Sequence, residues 1–163
     1  MGIISVRPAL EADFEDWVAV ARDVKKIFRH STMDTDPAFL EYARRKLRQK
    51  DAVTAFDETT GHCVGFVGFS QHFNRITWVG VLESYRGCGI GIALLNAALA
   101  SLDSTREITV KTYRFDYPAG APARRLYFRA GFTETSFELY DELGNEICEL
   151  TLYPASSRLA VKE

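Results

Sequence analysis

The order of apolar periodicities along the chain predicts an α+β fold, with a mixed and mostly antiparallel sheet accompanied by helices. Three observations predict it. Residues 52–82 read as three strands joined by short polar turns, the pattern of an antiparallel meander. Residues 75–113 read as strand, glycine-rich turn, helix and strand, a crossover that makes its two strands parallel. Residues 132–153 read as a closing hairpin around residues 142–145. At 163 residues, 47% apolar and 26% charged, a single soluble domain spanning 1–163 is expected.

The elements follow in order. Residues 3–6 form a short strand. Leu10, Phe14, Trp17, Val18, Ala21, Val24 and Phe28 share one helical face, which predicts an amphipathic helix over 9–28. Residues 30–35 are polar and loop-like. Asp36 is an N-cap and Pro37 a first helical residue. Phe39, Leu40, Ala43 and Leu47 carry the second helix to about Lys50. Its basic residues Arg44, Arg45, Lys46, Arg48 and Lys50 are expected on a solvated face, near the negative helix end. Strands follow at 52–56, 63–70 and 75–82, with turns at 57–61 and 71–74. A helix over 90–102 leads to a strand over 106–113. A loop with Pro118, Gly120 and Pro122 enters a short helix that ends at Gly131, where glycine suits the C′ position. Strands over 132–140 and 146–153 close the fold, and residues 154–163 are expected to fray.

Composition excludes several classes. Twenty-two acidic against 20 basic side chains give a net charge of −2, which excludes a nucleic-acid binder driven by a basic surface. The opening Met-Gly-Ile-Ile-Ser-Val-Arg lacks an apolar core and a cleavage site, so no signal peptide is expected. No apolar run approaches the roughly 20 residues of a membrane span. The three cysteines, Cys63, Cys88 and Cys148, have no tight spacing. Neither a disulfide framework nor a metal site follows, and reduced thiols in a cytoplasmic protein are expected. Cys63 and Cys148 read as strand core residues. Cys88 lies inside the glycine turn, where it is either a reactive thiol or a side chain that points away from a ligand.

The glycine turn carries the chemistry. An apolar strand ends at Leu82, Gly87, Gly89 and Gly91 follow at alternate positions, and a helix begins without a break. Such a turn exposes backbone N–H groups, and the helix end adds partial positive charge. Together they form an anion site suited to phosphate or pyrophosphate. A dinucleotide fingerprint would need glycine at Ile92, and a phosphate loop of the nucleotide-triphosphatase type would need Gly-Lys-Ser/Thr, which is absent.

Tyr85-Arg-Gly-Cys-Gly-Ile-Gly-Ile-Ala-Leu-Leu95 resembles the acyl-CoA motif of the Gcn5-related N-acetyltransferases, with Arg86, Gly89 and Gly91 at its fixed positions. Ala123-Arg-Arg-Leu-Tyr-Phe-Arg-Ala-Gly-Phe132 resembles the family's second motif, a helix with Ala-x-x-Leu-Tyr that ends in Gly-Phe. The resemblance covers nearly all of residues 3–153. It implies a three-layer αβα arrangement with helices on both sheet faces and a splayed pair of parallel central strands. It departs from the family pattern in three places. Glu83 stands where proline is common. Gly120 replaces an asparagine that helps hold the pantetheine arm. Arg75 falls where histone-type members carry a catalytic carboxylate.

The resemblance implies acetyl-CoA as co-substrate and an amine as acceptor, of a small molecule or a peptide. It implies main-chain contacts to the pantetheine arm from Val79 and Val81, and a pyrophosphate wrapped by N–H groups of Arg86, Gly87, Cys88, Gly89, Ile90 and Gly91. Arg86 either adds charge there or is solvated beside the loop. A strand N–H near Val79 would stabilise the carbonyl oxygen as charge develops on it. Tyr127 is the expected catalytic residue, giving a proton to the leaving thiolate; the bland alternative is a core tyrosine with its hydroxyl satisfied. Leu126 and Phe128 read as packing residues. The general base is open among Glu83, His72, Asp116 and a water chain. Tyr113 and Phe115 are candidates to wall the acceptor pocket, and His30, Met33 and Asp34 to cover it. The alternative function is a non-catalytic acyl-CoA-binding sensor or partner protein. A monomer and a homodimer through the closing hairpin both remain open.

Overall fold

The structure is a computed structural model and describes residues 2–157. Its strands are β1 (Ile4–Pro8), β2 (Ala52–Asp57), β3 (His62–Ser70), β4 (Arg75–Val81), β5 (Ile108–Tyr113), β6 (Thr133–Tyr140) and β7 (Glu146–Leu152). They form one mixed sheet in the order β1-β2-β3-β4-β5-β7-β6. Its parallel pair is β4–β5, while β1–β2, β2–β3, β5–β7 and β6–β7 run antiparallel. The helices α1 (Phe14–Val24), α2 (Pro37–Gln49), α3 (Ile90–Ala100) and α4 (Ala121–Arg129) flank the sheet. The fold is α+β, as the meander and the crossover predict. Among the described residues no helix is long and apolar enough to cross a membrane.

The chain divides into two compact units: Met1–Phe69 with Thr77–Ala98, and Ser70–Ile76 with Leu99–Glu163. In the first unit, β3 alternates its side chains between two sheet faces. Phe66 points to a core with Trp17, Val20, Ala21, Val24, Phe39, Ala43, Leu47 and Trp78. The Trp17 ring stacks on Phe66 at 4.9 Å, and Phe28 stacks on Trp78 at 5.3 Å. Ring pairs of this kind add about 0.5–1.5 kcal/mol beyond the area they bury. Gly65 faces the other way, where a Cβ would lie 3.0 Å from Leu94 of α3. Within this unit, α1 and α2 therefore cover one face and α3 the other. Polar ties fix the helices: Asp16 accepts the Cys63 N–H at 2.8 Å, and the Tyr42 hydroxyl bonds Thr77 Oγ1 at 2.6 Å.

In the second unit, Ile108, Val110, Phe132, Ile147, Cys148, Leu150 and Leu152 are buried. Asn74 sets where β4 begins. It is 1% exposed and adopts φ +54°, a conformation asparagine tolerates. Its Nδ2 donates to the carbonyls of Asp103 and Glu107, both at 3.0 Å, and its Oδ1 accepts the Asp103 N–H at 2.8 Å. The parallel ladder starts beside it and comprises Arg75↔Thr109 and Ile76↔Val110. Buried Arg124 donates to Cys148 Sγ at 3.1 Å and to the Tyr113 carbonyl at 3.3 Å, which anchors α4 on β5 and β7.

Several expectations need correction. The first helix does not run over 9–28. Residues 11–13 form a 3-10 turn, α1 ends at Val24, and residues 25–29 are turns with Arg29 at φ +49°. At the start, Asp13 takes the Leu10 N–H at 2.7 Å and pairs with Arg7 at 2.8 Å, which tightens the first turn. At the end, Phe28 keeps its place in the core without staying helical. Lys46 is not on the solvated face: it is 5% exposed and lies 3.9 Å from Asp51. β5 begins at Ile108, because the Arg106 N–H turns back to the Asp103 carbonyl. Residues 155–157 are helical instead of frayed, and the rest of the expected tail, 158–163, lies outside the described residues.

Candidate active site

The donor-side residues run consecutively through the first unit. Val79 and Val81, both half-buried, lie near the end of β4. The Leu82 N–H still donates to the Val64 carbonyl at 2.9 Å, and a 3-10 turn follows over Glu83–Tyr85. The Glu83 N–H donates to Asp23 Oδ2 at 2.7 Å, and the Tyr85 hydroxyl donates to Asp57 Oδ2 at 2.6 Å. Arg86 is exposed and folds its Nε back on the Val81 carbonyl at 3.3 Å. Its guanidinium therefore closes the strand-to-loop corner while remaining in solvent.

Gly87 and Gly89 adopt φ +78° and +81°, a region that side chains with a Cβ rarely enter. A Cβ built on either meets nothing within 4 Å, so both face open space. Gly91 differs: it belongs to α3 and needs no positive φ. The first intrahelical bond of α3 runs from the Ala93 N–H to the Gly89 carbonyl at 3.1 Å. The N–H groups of Ile90, Gly91 and Ile92 therefore have no acceptor within the helix. No acidic residue lies in that first turn to neutralise its positive end. The result is an exposed backbone cradle beside Arg86, suited to an anion. Cys88 sits in it, exposed, with Sγ 3.6 Å from the Arg86 carbonyl oxygen. Cys63 and Cys148 are buried, and all three thiols are free.

Tyr127 belongs to the second unit. It is 4% exposed on α4 and its ring meets Phe132 edge-on at 5.8 Å. Its burial and its ring contact suit both the catalytic reading and that of a core tyrosine. Burial pushes its pKa above the ordinary value of 10. At neutral pH the phenol is therefore protonated. Leu126 is half-buried, but Phe128 is 42% exposed and is no packing residue; the Arg124 guanidinium covers its ring at 5.2 Å.

The remaining candidates are scattered. Glu83 is exposed and pairs with Lys26 at 3.5 Å. His72 is exposed in the turn before β4, against Phe73, and Asp116 is exposed beyond β5. Arg75 opens β4 and lies over the Phe73 ring at 4.8 Å. Gly120 is tightly enclosed where many family members carry asparagine: a Cβ would stand 3.2 Å from Tyr113 Cβ and 3.4 Å from the Tyr117 ring, so a side chain there needs its neighbours to give by a few tenths of an ångström. Phe115 is exposed and Tyr113 half-buried. Met33 is not a pocket cover but a core residue. Asp34 is buried too, held by Lys25 and Arg22 at 3.0 Å each, and His30 lies 3.0 Å from Asp36. Among the described residues no group of three or more His, Cys, Asp or Glu side chains is placed to hold a metal ion. The ties from Asp23 and Asp57 to the loop carry no local sequence signal.

Residues 49–134, more than half of the chain, match the acetyltransferase (GNAT) domain. The chain belongs to this family. The GNAT match contains both the glycine loop and the α4 tyrosine. Solved structures agree on the fold. Diaminobutyrate acetyltransferase EctA from Paenibacillus lautus, solved with L-2,4-diaminobutyric acid and coenzyme A, has a TM-score of 0.73 at 17% identity, over 94% of this chain and 96% of that one. Arabidopsis thaliana NAA60, solved with a bisubstrate analogue, has a TM-score of 0.68 at 20% identity, over 93% and 99%. The NatC complex bound to Gag peptide and CoA gives 0.70 at 22% identity, over 94% and 99%. None of the curated proteins matches the GNAT chain in sequence.

Proposed function

We propose that this GNAT protein transfers the acetyl group of acetyl-CoA to a primary amine of a small molecule or peptide by direct attack. The observation that carries the proposal is the cradle from Gly87 to α3: two positive-φ glycines facing open space, joined to an uncharged helix start. A pyrophosphate fits that chemistry, because a Cβ would hold the backbone away from its oxygens. Val79 and Val81 lie beyond the Ile76 end of the parallel ladder, and their main-chain groups are assigned to the pantetheine arm. Proteins of similar fold have been solved with a small diamine acid in one case and with a peptide in another, which supports both acceptor classes.

In the reaction, the lone pair of the neutral amine attacks the thioester carbonyl carbon. The C–N bond forms, and charge on the oxygen is met by an N–H near Val79. The C–S bond then breaks as the Tyr127 hydroxyl donates a hydrogen bond to the departing sulfur, and the thiolate leaves as such or takes a proton from water. The new ammonium loses its proton to Glu83 or to water. A thiol has a pKa near 8.5, below that of the buried phenol, so full transfer from Tyr127 is uphill. Tyr127 acts chiefly as a hydrogen-bond donor to the departing sulfur, and it stays protonated across the neutral range.

Tyr127→Phe tests the proposal. It should lower kcat at least about 100-fold, the low end of the loss when one donor to developing transition-state charge is removed, with CoA affinity retained in calorimetry. Retained kcat removes Tyr127 from the chemistry. Tight CoA binding without turnover in the wild type, on any amine, supports instead the acyl-CoA-binding sensor that Arg75 keeps in view.

A further inference from the structure

We propose that Tyr85 and Asp57 act as a positioning pair that presets the glycine loop for the donor's pyrophosphate, an inference that rests on acetyl-CoA as the donor. Gly87 and Gly89 have no packing neighbours around the position of a Cβ, and residues 86–89 are exposed. Burial therefore does not hold this stretch in shape. Glycines also have the most conformational freedom to lose when a loop is ordered. Backbone bonds secure its two ends, from the Arg86 N–H to the Glu83 carbonyl at 3.2 Å and from the Ala93 N–H to the Gly89 carbonyl at 3.1 Å. Among the described residues, the Arg86 and Cys88 side chains bond to carbonyls five and two residues away.

Among the described residues, two long-range ties reach the turn before the loop: Asp23 takes the Glu83 N–H at 2.7 Å, and Tyr85 supplies the one next to the glycines. It ends the 3-10 turn and directly precedes Arg86, and its hydroxyl reaches Asp57, 28 positions earlier, at 2.6 Å. Asp57 is itself fixed. It is the last residue of β2, is 1% exposed, and accepts the Thr59 N–H on Oδ1 at 2.8 Å. One carboxylate thus joins the β2–β3 turn to the residue before the loop. The Tyr85 hydroxyl holds the Asp57 carboxyl below its usual range, and Asp57 in turn raises the phenol. The bond therefore stays charge-assisted through neutral pH, the stronger class of hydrogen bond. Ordering the loop before binding removes that cost from the binding step.

The test compares two donors. Acetyl-CoA carries the pyrophosphate, whereas S-acetylpantetheine lacks it. Tyr85→Phe should weaken CoA binding about tenfold in calorimetry, in line with the loss of a charge-assisted bond, and raise KM for acetyl-CoA by a similar factor. The loss in kcat/KM with acetyl-CoA should exceed that with S-acetylpantetheine at least about fivefold. Asp57→Asn keeps an acceptor but no charge, and should fall between wild type and Tyr85→Phe. Equal losses with both donors would mean general disruption and would overturn the proposal. So would unchanged CoA affinity in Tyr85→Phe while the wild type binds CoA well. A wild type that binds no CoA would instead overturn the donor assignment, and this role with it.

Discussion

Alanine at four glycines separates the backbone demand of the loop from its ligand role. Gly61, Gly87, Gly89 and Gly144 have φ of +76°, +78°, +81° and +82°, and a Cβ on any of them meets nothing within 4 Å. The four substitutions therefore have nearly the same folded-state cost, the strain of a Cβ in the left-handed region, about 1–2 kcal/mol. For a domain of this size, 1 kcal/mol shifts Tm by about 2–4 °C, so each variant should melt roughly 2–8 °C lower. This strain is present with and without ligand, so it cancels from the binding free energy. What remains in binding is steric. At Gly87 and Gly89 the added carbon occupies the space assigned to the pyrophosphate; at Gly61 and Gly144, in the β2–β3 and β6–β7 turns, it does not. Thermal melts with CoA titrations in a calorimeter read both quantities. Gly87→Ala and Gly89→Ala should lose at least about tenfold in CoA affinity, or 1.4 kcal/mol, while Gly61→Ala and Gly144→Ala bind as the wild type does. Four equal Tm losses with four unchanged affinities would refute the cradle.

Two further outcomes follow from burial and charge. The hydrogen bond from Lys25, aided by Arg22, holds the Asp34 carboxyl below its ordinary value of 3.8. As pH falls, the unfolded chain takes up that proton first, so the contribution is full above about pH 5 and lost on further acidification. Asp34→Asn should therefore lower Tm at pH 7 and approach the wild type near pH 3; a constant gap across that range would contradict the pairing. Thiol labelling of the native protein should modify one of the three cysteines quickly. Cys88 is exposed, whereas Cys63 and Cys148 are buried, and burial pushes the Cys63 thiol up to about 12. Saturating CoA should slow the Cys88 reaction, and equal labelling with and without CoA would count against the loop as its site.

Much of the fold was legible because its signals are local. Short polar turns delimit β2, β3 and β4, and Asp36-Pro37 opens α2 with the expected side-chain bond to the Ala38 N–H at 3.0 Å. The glycine loop was legible for the same reason, since φ demand and helix start lie within a few residues. The end of α1 was not. Phe28 continues the apolar spacing of a helix, yet it reaches Trp78 from a turn, and periodicity records only that it is buried. Lys46 and Asp34 look like surface charges in sequence because their partners are recognisable only in three dimensions. The same holds at the site. Asp57 and Asp23 lie 28 and 60 positions from the loop residues they hold. Tyr127 stood out only through its motif.

The most direct test of acetyl transfer is free-thiol release from acetyl-CoA across a panel of small amines and N-terminal or lysine-bearing peptides, corrected for hydrolysis, with wild type and Tyr127→Phe side by side. The account predicts amine-dependent CoA release by the wild type on at least one acceptor, an acetylated product of matching amount, and loss of both in Tyr127→Phe. Saturable CoA binding with no amine-dependent thiol release from any acceptor would contradict it.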